Sequence, residues 1–173
     1  MHSWQTTLAA ILNGHAALVG VGNPDHGDDG AGVVLAEALR TAGCANVFVA
    51  GATPEETAPV LARLGFERLL LLDAVEFGGQ PGDTILLSSR EIQSRFPQIS
   101  THKLSLGTLA RMIEAERGVQ VWLLGLQPAS LKGSHLSPVM QATVQALTGL
   151  LRGLLHPPPM NAVQPIPKHG VDS

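Results

Sequence analysis

The stretch that decides the fold is residues 16–32, AALVGVGNPDHGDDGAG. Its first six residues form a short apolar run, which ends at Gly22-Asn23-Pro24. A loop rich in glycine and aspartate follows, and beyond it apolar residues recur at every third position as far as Leu39. This order predicts a buried strand, a loop and an amphipathic helix that stops near Gly43.

The same alternation continues along the chain. Further strands are predicted at Asn46 to Ala50, Arg68 to Val75, Thr84 to Leu87 and Val119 to Leu126, and further helices begin at Thr53, Leu104 and Ser137. Strands that alternate with helices are typical of an α/β fold, here an open, mostly parallel sheet of about five strands with helices on both faces. We also expect Thr53 and Glu56 to form a capping box, and the strand at Thr84 to pair close to the strand at Arg68.

Length and composition indicate one domain. The chain has 173 residues, of which 45% are hydrophobic, enough apolar material for a single core. Residues 1–155 are expected to form one α/β domain. The segment from His156 to Ser173 begins with three prolines after the histidine and is otherwise polar, so we expect a disordered tail.

Charge and cysteine content exclude several classes of protein. The formal charge is −3, with 11 basic against 14 acidic residues, so no basic field is available to bind a row of phosphates, and nucleic acid is not expected as a partner. The single cysteine, Cys44, excludes an internal disulfide framework and a cysteine-rich metal site. No secretory leader and no apolar run of roughly 20 residues is present, so we expect a cytoplasmic protein that does not enter the membrane.

The loop after the first strand is the first candidate site, because ligands of parallel sheets bind outside the carboxyl ends of the strands. Its glycines are typical of a phosphate cradle, but it carries Asp25, Asp28 and Asp29 and no lysine or arginine, which argues against a nucleotide. Helix capping by one of the acids is the alternative without a function.

Asp73 and His102 are the other candidate site residues. Asp73 follows four leucines, so its carboxylate emerges from an apolar strand at the edge where sites form. His102 precedes the helix that starts at Leu104. Each has a structural alternative: Asp73 could accept amides of the adjacent turn, and His102 could cap its helix. Two carboxylates and one imidazole on neighbouring loops would suit Ni, Zn, Co, Fe or Mn.

Six short pieces occur in order between Leu18 and Leu155: Gly20-Val21-Gly22-Asn23, Gly27-Asp28-Asp29-Gly30-Ala31-Gly32, Leu72-Asp73-Ala74, Ser100-Thr101-His102, Gln127-Pro128 and Leu136-Ser137. Together they resemble the [NiFe]-hydrogenase maturation endopeptidases. The double aspartate and the Ser-Thr-His piece look most like the branch that serves formate hydrogenlyase-type large subunits.

This resemblance implies a three-layer α/β/α sandwich and a monomeric, aspartate-type, metal-dependent endopeptidase. Such an enzyme removes the C-terminal extension of a [NiFe]-hydrogenase large-subunit precursor after nickel insertion, and the nickel carried by the precursor serves as the recognition element, with other divalent metals as substitutes in vitro. The implied metal contacts are Asp29, Asp73 and His102. Asp28 joins them as a candidate catalytic residue that orients the ligands or caps the helix. The alternative function is a chaperone that holds nickel or the large subunit without cutting.

Overall fold

A computed structural model describes residues 3–95 and 105–156. Five strands form one sheet in the order β2-β1-β3-β5-β4. They are β1 (Ala16–Val21), β2 (Val47–Gly51), β3 (Arg68–Ala74), β4 (Thr84–Ser88) and β5 (Gln120–Leu126). Four strands run parallel, and β4 alone is antiparallel to its neighbour β5. The predicted mostly parallel sheet of about five strands is confirmed.

Helices cover both faces of this sheet. They are α1 (Trp4–Leu12), α2 (Ala31–Thr41), α3 (Pro54–Arg63), α4 (Ser89–Arg95), α5 (Leu106–Arg117) and α6 (Pro138–Leu155). Buried side chains of α1, α2 and α6 share one core, and those of α3, α4 and α5 share the other. The protein is therefore the expected three-layer α/β/α sandwich. Within the described ranges, no helix is both long and apolar enough to cross a membrane.

The central strand β3 shows how both cores form. Its four leucines are fully buried, and they alternate between the faces because successive side chains of a strand point in opposite directions. Leu69 and Leu71 pack in the core under α3, α4 and α5, whereas Leu70 and Leu72 pack in the core under α1, α2 and α6. A continuous apolar run is thus required here, since neither face of β3 meets water.

A glycine allows α2 to start directly on the sheet. A side chain at Gly32, in the first turn of α2, would overlap the carbonyl oxygen of Leu72 at the end of β3 and come within 2.5 Å of that of Val21 at the end of β1. This close approach fixes where the loop between β1 and α2 lies relative to the strand ends.

Two local predictions were wrong. The strand at Thr84 pairs with β5 and not with β3, because the chain leaving β3 crosses the end of β5: the N–H of Val75 donates to the carbonyl of Leu126, and that of Gly82 to the carbonyl of Gln127. Thr53 does precede α3, but its hydroxyl makes no capping hydrogen bond, so the capping box is absent. Helices α1 and α4 were not predicted.

The contact at Gly32 gives a stability prediction. Gly32→Ala should lower the free energy of unfolding by about 3 kcal/mol or more, because the added methyl group overlaps backbone that cannot move aside. Gly149→Ala, at an exposed position of α6 with open space around it, should raise that free energy by about 0.5–1 kcal/mol. Urea denaturation of both variants measures the difference, and equal stability would contradict the close approach of α2 to the sheet.

Candidate active site

The carboxyl ends of three strands meet at Gly22, the residue after β1. Its N–H donates to the carbonyl of Gly51, the last residue of β2, at 2.9 Å. A side chain at Gly22 would overlap the carbonyl oxygen of Asp29 and lie 3.6 Å from Oδ1 of Asp73. Gly22 has a φ of 123°, a conformation that favours glycine. The structure therefore brings Asp29 and Asp73 to one point of the sheet edge.

A short 3-10 helix, Gly27–Gly30, presents the neighbouring aspartates of the first loop. Both are buried, but their carboxylates have different surroundings. Oδ2 of Asp29 accepts the N–H of Asn23 at 2.9 Å, and the N–H of Asp29 donates to the carbonyl of His26 at 3.2 Å. These bonds fold the loop back on itself and hold the Asp29 carboxylate close to the end of β1.

Asp28 binds a distant part of the chain. Its Oδ1 accepts the N–H of Ser137 at 2.7 Å, and its Oδ2 accepts the hydroxyl of Ser137 at 2.8 Å and the N–H groups of Ala129 and Ser130 at 2.8 and 3.2 Å. Its own N–H donates to the carbonyl of Ser130 at 3.0 Å. The residue before α2 is Gly30, and no side chain caps that helix. Asp28 therefore anchors the first loop to the segment before α6.

These donors also set the charge of Asp28. Burial by itself would raise the pKa of this carboxyl group, but the donors from Ser137, Ala129 and Ser130 outweigh it and leave the pKa below its ordinary value. Hydrogen bonds to a carboxylate favour the charged form, so Asp28 stays ionised in the folded protein. It is a fixed negative charge one residue away from Asp29.

Asp73 is the last polar residue of β3, and only 1% of it is exposed. By alternation along the strand, its side chain points to the same face as Leu71, which is the face covered by α3, α4 and α5. Its partner on β5 is Gly125, which has no side chain beyond Cα. The carboxylate is thus placed on an apolar face of the sheet, at the edge where the strands end.

His102 lies outside the described residues. The next described element, α5, begins at Leu106 after Ser105, whose hydroxyl accepts the N–H of Thr108 at 3.2 Å. Among the residues that the structure describes, no three histidine, cysteine, aspartate or glutamate side chains are grouped closely enough to hold a metal. The metal role of His102 together with the two aspartates stays a prediction.

The segment between β5 and α6 was missed as part of the site. Ser137 was predicted to begin α6, and its hydroxyl does cap that helix by accepting the N–H of Met140 at 3.3 Å. The same hydroxyl also donates to Asp28. Leu136-Ser137 is one of the six pieces that carry the family resemblance, but its local pattern indicates only a helix start, because the residue that Ser137 binds lies 109 positions away.

Comparison with known protein families shows to which family a chain with this fold and site belongs. The hydrogenase maturation protease family matches residues 33–152, which is more than half of the chain. The chain belongs to this family. Its members are proteases, so the protein is a hydrolase. The matched residues include Asp73 and His102 and begin just after the loop with Asp28 and Asp29.

Individual relatives agree with this assignment to the hydrogenase maturation proteases. The hydrogenase 3 maturation protease of Escherichia coli strain K12 is 35% identical over 113 residues, which are 64% of this chain and 71% of that protein. The crystal structure of the [NiFe] hydrogenase maturation protease HycI from Thermococcus kodakarensis superposes with a TM-score of 0.76 at 26% identity, covering 86% of this chain and 98% of that one. The solution structure of the endopeptidase HycI from Escherichia coli gives a TM-score of 0.68 at 29% identity, covering 81% and 90%.

The anchoring role of Asp28 can be tested by stability. Asp28→Asn keeps the shape of the side chain but replaces one acceptor oxygen by an amide NH2 group, which donates and cannot accept the N–H donors that face it, so we expect the free energy of unfolding to fall by about 2 kcal/mol or more. Asp25→Asn changes an exposed aspartate of the same loop and should stay within about 0.5 kcal/mol of the original protein. Chemical denaturation of both compares them, and similar losses would contradict a specific anchor at Asp28.

Proposed function

We propose that this protein is an endopeptidase that removes the C-terminal extension of a [NiFe]-hydrogenase large-subunit precursor once nickel has been inserted. The observation that carries the proposal is that Asp29, through its backbone carbonyl, and Asp73, through its carboxylate, both adjoin Gly22 at the sheet edge of a chain that belongs to the hydrogenase maturation proteases. Relatives named as hydrogenase 3 maturation proteases favour a precursor of that type as the substrate.

Nickel belongs to the substrate in this proposal. The precursor would bring the ion, held by its own cysteine thiolates, and the protease would offer the carboxylates of Asp29 and Asp73 and the imidazole of His102. Oxygen and imidazole ligands of this kind suit nickel, and the buried single cysteine of the chain leaves the soft ligands to the precursor. The donor set at the site therefore fits a nickel ion that arrives with the substrate.

Hydrogen bonds from the surrounding residues hold the first loop and its aspartates in place before a ligand binds. The N–H of Asn23 fixes one oxygen of Asp29, which limits the orientations of that carboxylate. Asp28 takes no part in contacting the substrate, because its two oxygens already accept four hydrogen bonds. We propose that Asp28 positions Asp29 and that Asp29 and Asp73 contact the metal-bearing substrate. A site held rigid before binding loses less entropy when the substrate arrives.

The proposed setting is the cytoplasm, with the protease acting as a monomer on the precursor and without nucleic acid or membrane as a partner. The free, buried thiol of Cys44 supports a reducing compartment. The net charge of −3 supports the absence of a nucleic-acid partner.

Metal gating is the first functional test. Purified protein should shorten nickel-loaded precursor and leave nickel-free precursor intact, because only the loaded form presents the ion that the carboxylates recognise. Mass spectrometry of the large subunit after incubation measures the cut. Equal cleavage of both forms would contradict recognition through nickel, and binding of the precursor without any cut would favour the chaperone function instead.

The proposed contact residues are tested by substitution. Asp73→Asn and His102→Ala should each reduce cleavage of nickel-loaded precursor by more than the roughly 10–100-fold that is typical for residues that only support a metal ligand. Both variants should fold, as judged by circular dichroism. Glu37→Gln, which removes an exposed carboxylate of α2, is the control and should cut at the original rate. Full activity of either site variant would remove that residue from the set.

A further inference from the structure

We propose that Gln127 is a substrate-binding residue of the same site, whose side-chain amide donates from Nε2 to a main-chain carbonyl of the precursor. The proposal rests on the proposed function, since that carbonyl belongs to the peptide that the site would hold. Gln127 is part of the Gln127-Pro128 piece of the family resemblance, which the proposed function leaves without a role. The contacts of Gln127 and its place on the sheet carry the inference.

Gln127 lies at the same edge of the sheet as Asp73. Strand β5 is paired with β3 so that Gly125 is the partner of Asp73. Two residues further along β3, the N–H of Val75 donates to the carbonyl of Leu126 at 2.9 Å, so the two chains stay side by side beyond the strand ends. Gln127 is therefore only two positions past the residue that pairs with Asp73.

The side chains of Gln127 and Asp73 point to the same face of the sheet. Leu126, the last residue of β5, packs in the core under α1, α2 and α6. The N–H of Gln127 donates to the carbonyl of Asp83 at 2.8 Å, so the sheet pairing continues past the strand and the next side chain turns to the opposite face. Phe77, whose N–H the Gln127 side chain accepts, packs against the core on that opposite face, which is also the face of Asp73.

The two side chains are close enough to be reached by one peptide. Adjacent strands lie about 4.8 Å apart and two residues of a strand rise about 6.6 Å, so the Cα atoms of Asp73 and Gln127 are roughly 8 Å apart. An extended peptide covers this distance in about two or three residues. A precursor segment that brings the bond to be cut to Asp73 can therefore reach Gln127 with a neighbouring residue.

The oxygen of the Gln127 amide is used within the protein. Oε1 accepts the N–H of Phe77 at 2.9 Å and the N–H of Gly79 at 3.2 Å, both on the segment that leaves β3 after Asp73. Only 8% of Gln127 is exposed. Because the carboxamide is planar and two donors hold its oxygen, the position of its nitrogen is fixed as well.

The nitrogen of the same amide is available to a ligand. Nε2 makes no hydrogen bond to any group in residues 3–95 and 105–156, and it remains accessible to solvent. A glutamate at position 127 could accept the same two N–H groups, so they do not account for the NH2 group of a glutamine. Polar groups of side chains as buried as this one ordinarily have a partner, and a ligand at the site would supply it.

The ligand that fits Nε2 is a hydrogen-bond acceptor. A peptide carries a carbonyl oxygen at every residue, whereas acceptor side chains occur only at some positions. The proposed substrate must lie across this edge of the sheet with one particular bond at the aspartates. A hydrogen bond to its main chain, two or three residues away, would fix that register, so a main-chain carbonyl is the acceptor that the position of Gln127 favours.

Gln127→Glu separates the two ends of the amide. Glutamate keeps an acceptor for the N–H groups of Phe77 and Gly79, and these donors favour its charged form, which has no hydrogen to donate. We expect KM for nickel-loaded precursor to rise by about 10- to 100-fold, because a donor is lost and an acceptor faces the carbonyl, and kcat to stay within about twofold. A role confined to holding the loop would leave KM unchanged.

Two further variants control this measurement. Gln127→Met removes the donor without adding charge, so its KM should also rise by about 10-fold, and its unfolding midpoint should lie below that of Gln127→Glu because two N–H groups lose their acceptor. Gln80→Glu makes the same change of charge at an exposed position of the same loop and should keep both constants within about twofold. A raised KM in Gln127→Met but not in Gln127→Glu would indicate a loop anchor only, and an equal rise in Gln80→Glu would indicate a general effect of charge. Either result would overturn the proposal.

Precursors with single alanine substitutions on both sides of the cut test the nature of the acceptor. Each substitution removes one side chain and keeps every main-chain carbonyl. The difference in KM between the original protein and Gln127→Glu should therefore persist with all of these precursors. A precursor whose substitution abolishes the difference would identify a side-chain acceptor and contradict binding through the main chain.

Calorimetry with nickel-loaded precursor keeps this test separate from that of the proposed function. If the original protein binds the precursor but never cuts it, the proposed function fails. A Kd about 10- to 100-fold higher in Gln127→Glu, with an unchanged Kd in Gln80→Glu, still supports the inference in that case. An unchanged Kd in Gln127→Glu would overturn it, and so would an original protein that does not bind the precursor.

Discussion

One buried carboxylate, that of Asp28, holds the candidate site together. Its two oxygens accept four hydrogen bonds from the segment between β5 and α6, while its own N–H returns a fifth to Ser130. Hydrogen bonds to a charged acceptor are stronger than neutral ones, and burial removes the water that would compete with them. The loop after β1 is therefore held at two places, by the strand β1 that precedes it and by the segment that leads into α6.

The two adjacent aspartates of this loop, Asp28 and Asp29, have different roles. Both carboxylate oxygens of Asp28 accept hydrogen bonds from the protein itself, and these bonds fix the backbone of the next residue, Asp29. The carboxylate of Asp29 accepts the N–H of Asn23, and the backbone carbonyl of Asp29 lies against Gly22, the residue that Oδ1 of Asp73 also adjoins. Glycines at positions 22 and 32 make these close approaches possible, since a side chain at either would overlap the neighbouring backbone. The geometry of the carboxylates thus depends on residues that contribute no chemistry of their own.

Local patterns in the sequence predicted those parts of the fold that local physics determines. The four leucines before Asp73 indicate a strand buried on both faces, and the structure has one there. The partner of β4 could not be predicted in the same way, because it depends on the path of the chain across the end of β5, where Gln127 accepts the N–H groups of Phe77 and Gly79. The site shows the same limit. Strand ends pointed to the acidic first loop and to Asp73 as candidates, and the family resemblance singled out Asp29, but the donors to Asp28 lie more than 100 positions along the chain.

The distance in sequence between Asp28 and its donors has a consequence for the synthesis of the protein on the ribosome. Ser137, which gives Asp28 two of its hydrogen bonds, is synthesised 109 residues after Asp28. At about 5–20 residues per second, this delay amounts to roughly 5 to 20 seconds. A nascent chain that already contains β1, β2 and β3 still lacks the donors that fix the first loop. The first loop can therefore be fixed only after Ser137 has been synthesised, so a nascent chain that stops short of Ser137 does not yet hold its aspartates in place for a precursor.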